Sequence, residues 1–384
     1  GLATGQLNEL TDAKLQALTT RQISALDNST QLTQLGTKAI AALSSTQVKA
    51  LSSGQIAALT TQQINALESE DLQAFNKNQI SALVATSQIA NLSSLQAAKL
   101  SIQQVEWLSS DQGAALSDDA ITALTSDQIS HLSTAALKAL DSNAVHAIDL
   151  TDFSLLTTRQ IASISDITRV SNLQIAAMDT TQVRALTTNQ VSNLTSDQIN
   201  AMGPTQLQTL TRDQFRAING TVFGQISSTQ IALLDTAQIA VISDSQANSL
   251  TSIQIDALTS DQVVKLNAQA LNSISIQYIA GDDFGKMTAS QVSKLDSGQI
   301  RALTSNQIGA MRTDQIRALT RTQIGSLSQD QLNWITQPNL VKLTNGQMTS
   351  LSATQVGYFN ASQLNLLEDS QLQALTTQQI QGLS

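Results

Sequence analysis

Cysteine is absent from all 384 residues. That removes a disulfide framework, a thiolate metal site and a cysteine nucleophile. It fits either a reducing cytoplasm or a bacterial surface protein that folds without oxidative help. Proline occurs twice and glycine sixteen times, too few for a collagen-like chain or a flexible Gly/Ser linker. Aromatic residues make up 3% of the chain and charged residues 13%. Twenty Lys plus Arg face 29 Asp plus Glu, for a net charge of −9. With no basic stripe to neutralise phosphates, nucleic acid is not an expected partner, and an anionic membrane surface would be repelled. No apolar run approaches eighteen residues, so no membrane span is expected.

What fills the space is Gln, Ser, Thr and a repeat. Leu51-Ser-Ser-Gly-Gln-Ile56-Ala-Ala-Leu59 is followed by Leu59-Thr-Thr-Gln-Gln-Ile64-Asn-Ala-Leu67. The unit [S/T/D/N]-x-x-Q-[I/V/L]-x-A-L recurs every eight residues along one continuous array over 1–384. Register shifts fall near 24–32, 81–89, 162–175 and 280–284. In this register Ile279 closes the fourth block and Phe284 opens the last. Such a period decides the fold before any local propensity does.

An apolar pair at i and i+3 with Ala between is helical spacing. Eight residues overshoot two turns by roughly 80°, so an unbroken helix would carry its stripe around the cylinder. The helix must therefore break in every unit, and the break is encoded. With Thr60 as N-cap, Gln63 falls at N3 of a capping box, while Leu59 and Ile64 form the hydrophobic staple. Acidic residues at N2 (Asp197, Asp213, Asp261, Asp314) and basic residues after the apolar position (Lys49, Arg184, Arg216, Arg301) suit the helix dipole. The glutamine is explained here as a backbone cap.

A β-solenoid is the rival, since Thr, Ile and Val favour strands. Ala-Leu after the Ile breaks two-residue alternation, and glycine is too scarce for tight corners. One octad cannot fold alone: two buried aliphatic side chains give about 3–6 kcal/mol, against about 12 for ordering eight residues. The expected fold is an all-α repeat solenoid, a superhelix of very short capped helices, one per eight residues. The number of octads per superhelical turn is not encoded legibly.

Candidate chemistry is sparse. Ala280-Gly-Asp-Asp-Phe-Gly-Lys286 could form a loop binding a cation through Asp282 and Asp283, or could be a corner of the solenoid. No Asp-x-Asp-x-Asp-Gly loop occurs. His131 and His146 suggest no metal pair without a third ligand. Ser and Thr lack a positioned base. Trp107 and Trp334, each just before a core residue, are expected at the core edge. No catalytic residue, cofactor or metal is expected.

The run Leu-Thr-Thr-x-Gln-Ile-x-Ala-Leu, at Leu59–Leu67 and Leu375–Leu383, resembles octad-repeat regions of large secreted bacterial surface and adhesin-like proteins. The resemblance covers essentially the whole chain. It implies an extended, non-enzymatic structural or adhesive element at the bacterial cell surface: a rod, filament or lattice block. The alternative is a binding solenoid whose polar Gln/Thr/Asn face takes a peptide or surface glycan. Leu2 and Leu383 already occupy octad core slots, with no polar cap at either end. The expected partner is thus the chain itself, end to end, or further repeats. Gly1 in place of an initiator Met, with no charged-then-apolar leader, is expected of a processed or excised segment.

Overall fold

The computed structural model describes residues 4–383. Every regular element among them is a helix of three to six residues, and no strand occurs. The chain divides into two compact units, 1–193 and 194–384, and each is built from the same stacked octads. Each is an all-α solenoid of short capped helices.

The octad around Ile64 shows how the sequence produces one step. Thr60 is extended (φ −70°, ψ 162°), and its hydroxyl accepts the Gln63 N–H. The Ile64 N–H reaches the Thr60 carbonyl at 3.0 Å and the Leu67 N–H reaches the Ile64 carbonyl at 3.1 Å. Leu67 then returns to extended backbone (φ −63°, ψ 133°) and ends the helix. The next cap follows at once, so the chain turns without glycine. No described residue has positive φ.

Burial follows the octad. The cap and the two residues after it face outward. Gln and Ile are buried, the next residue is exposed, Ala is half-buried and Leu is buried. Ile56, Ile64 and Ile199 lie at 0% exposure. Each such side chain contributes about 1.5–3 kcal/mol by leaving water, so stability accrues octad by octad and requires stacking.

The number of octads per turn is settled by contacts. Each helix packs on the helix three units away: Ser110–Ala114 on Thr134–Ala139, and Gly281–Lys286 on Ser305–Ala310. Rim hydrogen bonds repeat this separation. Ser53 Oγ donates to the Asn78 carbonyl at 3.3 Å, and Asn200 Nδ2 to that of Gln225 at 3.1 Å, each 25 residues on. The glutamines reach one unit further. Gln63 Nε2 donates to the carbonyls of Leu32 and Leu35 at 2.8 and 2.9 Å, four units back.

Gln is therefore more than the local cap inferred from the capping box. Its Oε1 accepts the Thr60 N–H at 2.9 Å while its amide clamps the end of another helix. Gln246 repeats this on Phe215 and Ile218, and Gln307 on Ile276 and Ile279. Both glutamines are 0% exposed. Helix ends leave carbonyls without intrahelical partners; the clamps fill that need, and no buried side-chain polar atom among the described residues lacks a partner.

Irregular helices sit at the register shifts. Between Ile23 and Leu32 one extra residue is absorbed by a π-helical turn, Asn28–Leu32. Its Leu32 N–H reaches back five residues to Asp27 at 2.9 Å. Between Ile80 and Ile89 the same five-residue bond runs from Ile89 to Val84 at 3.1 Å. In both, Gln moves one place later and still caps: Gln31 takes the Asp27 N–H and Gln88 takes that of Val84. The other two shifts are shortenings around 3₁₀ turns, Ile167–Arg169 and Ile276–Tyr278. The second lies earlier than the sequence indicated. The short step runs from Leu271 to Ile276, which puts Ile279 in the Leu slot; Ile276 to Phe284 is a full octad.

Candidate functional site

The segment around Asp282 and Asp283, open in the sequence to a cation loop or a corner of the solenoid, is a regular helix, Gly281–Lys286, with Phe284 and Gly285 buried. Its glycines serve packing. A Cβ on Gly285 would stand 2.9 Å from the Ala310 carbonyl oxygen, and one on Gly281 3.1 Å from that of Asn306. Asp282 and Asp283 lie in the first turn of this helix, and Asp283 accepts a hydrogen bond from the Ser260 hydroxyl. No group of three His, Asp or Glu side chains able to hold a metal occurs among the described residues.

The remaining residues singled out in the sequence lie apart. His131 is exposed, its Nδ1 2.8 Å from the Asp127 carbonyl oxygen of its own helix. His146 is exposed in Ser142–Ala147. Trp107 is half-buried and Trp334 is 38% exposed, both beside core residues.

Open grooves recur along the surface between octads, among them one beside Ile242 and Ser243 and one beside Leu67 and Glu68. The shortened turn Ile276–Tyr278 carries no side-chain cap, because the five-residue step omits the outer rim of a full octad. Gln277 and Tyr278 of this turn line an open cleft of about 430 Å³. Tyr278, 45% exposed, and Ile253, 70% exposed, both line this cleft. Ser252 and Asp256 from one helix and Thr304 and Asn306 from another complete the rim. Sequence reasoning missed this site, although an aromatic in the slot usually held by Ala (Tyr278) next to a register shift was the available signal.

In the first unit a cleft lies beside Ala162, Ser163 and Ile164, in the octad before the shortened turn Ile167–Arg169. Thr187 and Asn189 stand on its rim as Thr304 and Asn306 do in the second unit, but the side opposite carries Lys138 and no aromatic residue.

A family model described as the ALTTAQ repeat matches residues 28–61, 175–212 and 292–329. Its letters are visible in Ala58-Leu-Thr-Thr-Gln-Gln63 and Ala185-Leu-Thr-Thr-Asn-Gln190. No curated protein matches the chain. Solved structures with similar features include a homology model of the full-length AP-3 complex in an intermediate open conformation. It is 10% identical with a TM-score of 0.24, covering 94% of this chain and 73% of that one. The structure of APUM23-GGAAUUGACGG is 12% identical with a TM-score of 0.19, covering 98% and 92%. A leucine-rich repeat-containing protein, LegL7 from Legionella pneumophila, is 10% identical with a TM-score of 0.16, covering 66% and 84%. Scores this low carry no argument about partners. The octads and the threefold family match mark the chain as a repeat protein of helical solenoid type.

Proposed function

We propose that the chain is a non-catalytic structural or adhesive element of the bacterial surface that associates by adding octads to octads. The observation that carries this is the stacking rule within each unit: each helix packs on the helix three units away, and each glutamine clamps a helix end four units back, so octads are completed by other octads. Association of this kind would repeat the contact used inside each unit.

The surface location is supported by the cysteine-free Ser/Thr-rich composition and by the resemblance to secreted repeat proteins. The structural role is supported by the use of the chain's recurring groups: Gln, Ile and Leu are consumed by the core and Ser/Thr by caps. Sedimentation velocity over a concentration series tests association. Self-association is expected, and a monomer at every concentration overturns the proposal. Fractionation of the source cells tests location, with recovery only in the cytoplasm refuting it.

A further inference from the structure

We propose that the Tyr278 cleft is a binding site for a neutral glycan, using the phenol ring as a stacking platform. Three features point to this class. Tyr278 and Ile253 place two exposed apolar side chains in one cleft of a molecule otherwise poor in exposed aromatics, and an exposed ring can take the apolar face of a sugar. Around it stand a carboxylate (Asp256), an amide (Asn306) and two hydroxyls (Ser252, Thr304). Sugar hydroxyls both donate and accept, and this mixed rim answers both needs, the carboxylate giving the stronger bond. The cleft is open, with room for about one or two sugar rings at 430 Å³.

Other classes fit less well. A peptide adding as a strand needs a row of unpaired backbone groups, and here the backbone is spent on helices and caps. A phosphate-bearing ligand would meet Asp256 and no cation among the lining residues. The cleft needs neither the assembly nor the location proposed above in order to bind.

The first unit supplies an internal control, since its cleft shares the Thr-x-Asn rim but lacks the ring. Saturation-transfer NMR on the full chain with chitobiose, cellobiose, lactose and maltose tests the site. Transfer to at least one disaccharide is expected. Tyr278→Ala should cut it at least tenfold with the far-UV circular dichroism unchanged, and Tyr278→Phe should keep most of it. Trp334→Ala, an exposed aromatic elsewhere, should leave it intact. No transfer from any of the four sugars overturns the proposal. So does transfer that survives Tyr278→Ala, or that Trp334→Ala reduces equally.

Discussion

Gln63 holds Leu32 across 31 residues, its Nε2 standing 2.8 Å from the Leu32 carbonyl oxygen while its Oε1 accepts the N–H of Thr60. One side chain thus starts its own helix and finishes another. Replacing Gln63 by Leu leaves the Thr60 N–H and the Leu35 carbonyl unpaired and leaves the Leu32 carbonyl only its bond from the Leu35 N–H. With about 1–3 kcal/mol for each buried orphan, a loss of about 3 kcal/mol is expected in urea denaturation. Gln63→Glu should be pH-dependent. A carboxylate facing two carbonyls is disfavoured, so the folded-state pKa rises above the unfolded value of about 4.3. The variant's stability is then fully present below that value and is lost as pH rises through the folded pKa. Melts at pH 4 and pH 7 check the sign.

Asp71 occupies a glutamine slot and is 4% exposed. Burial pushes its carboxyl above the usual carboxylate range, and Glu68 and Glu70 add to the rise against a 2.7 Å hydrogen bond from Ser45. Asp71→Gln should restore the clamp onto the carbonyls of Ile40 and Leu43 and stabilise by about 1 kcal/mol. The gain should grow with pH, because the raised carboxyl costs stability only once it ionises in the unfolded chain. A gain that shrinks with pH would contradict it.

Asp27 caps the π turn by accepting from Ser29 and Thr30. The Thr30 hydroxyl leads in holding its pKa down to about 2, with further help from the Thr30 and Ser29 bonds. A depressed folded pKa contributes stability above the unfolded value of 3.8, and that contribution is lost as pH falls through 2. Carboxyl NMR titration should place the Asp27 midpoint near 2, and Thr30→Val should move it upward.

Two glycines in similar helical settings should respond oppositely. A Cβ on Gly113 would lie 2.4 Å from the Ala136 Cα, whereas one on Gly309 meets nothing within 4 Å. Gly113→Ala forces two packed backbones apart and should cost about 2 kcal/mol or more. Gly309→Ala should stabilise by about 0.5–1 kcal/mol through helix propensity. Paired thermal melts decide both.

Deleting Asn28 converts the nine-residue step into an ordinary octad, placing Gln31 three residues after Asp27. Stability should be kept or raised, since the π turn is the rarer helix. Deleting Ser53 from a regular octad should destabilise strongly, because Gln55 and Ile56 would leave their slots. Circular dichroism and melting of the two deletions separate these outcomes.

Much of this was legible because its causes are local. The capping box at Thr60–Gln63, the staple of Leu59 on Ile64 and the helix break forced by a period of eight involve residues within one octad. The clamp was not legible. Its acceptor is the carbonyl of Leu32, a group every residue carries, so no sequence letter announces it. The shortening at Leu271–Ile276 was misplaced because Ile279 suits either core slot. The pair Gly281 and Gly285 suggested a loop, whereas both answer to Asn306 and Ala310, 25 residues on. The Tyr278 cleft is lined from three separate segments, around Ile253, Tyr278 and Asn306, and no local pattern announces that they meet.

The reach of the glutamines also fixes how far one octad senses another. Repeat arrays are commonly treated as nearest-neighbour chains, but here each unit answers to its third and fourth predecessors. Gln47 is bound to Leu15, 32 residues earlier. During synthesis such a bond cannot close until about five octads have emerged. The smallest segment able to hold itself together is therefore set by this correlation length, and fragments shorter than it should gain almost nothing from each added octad.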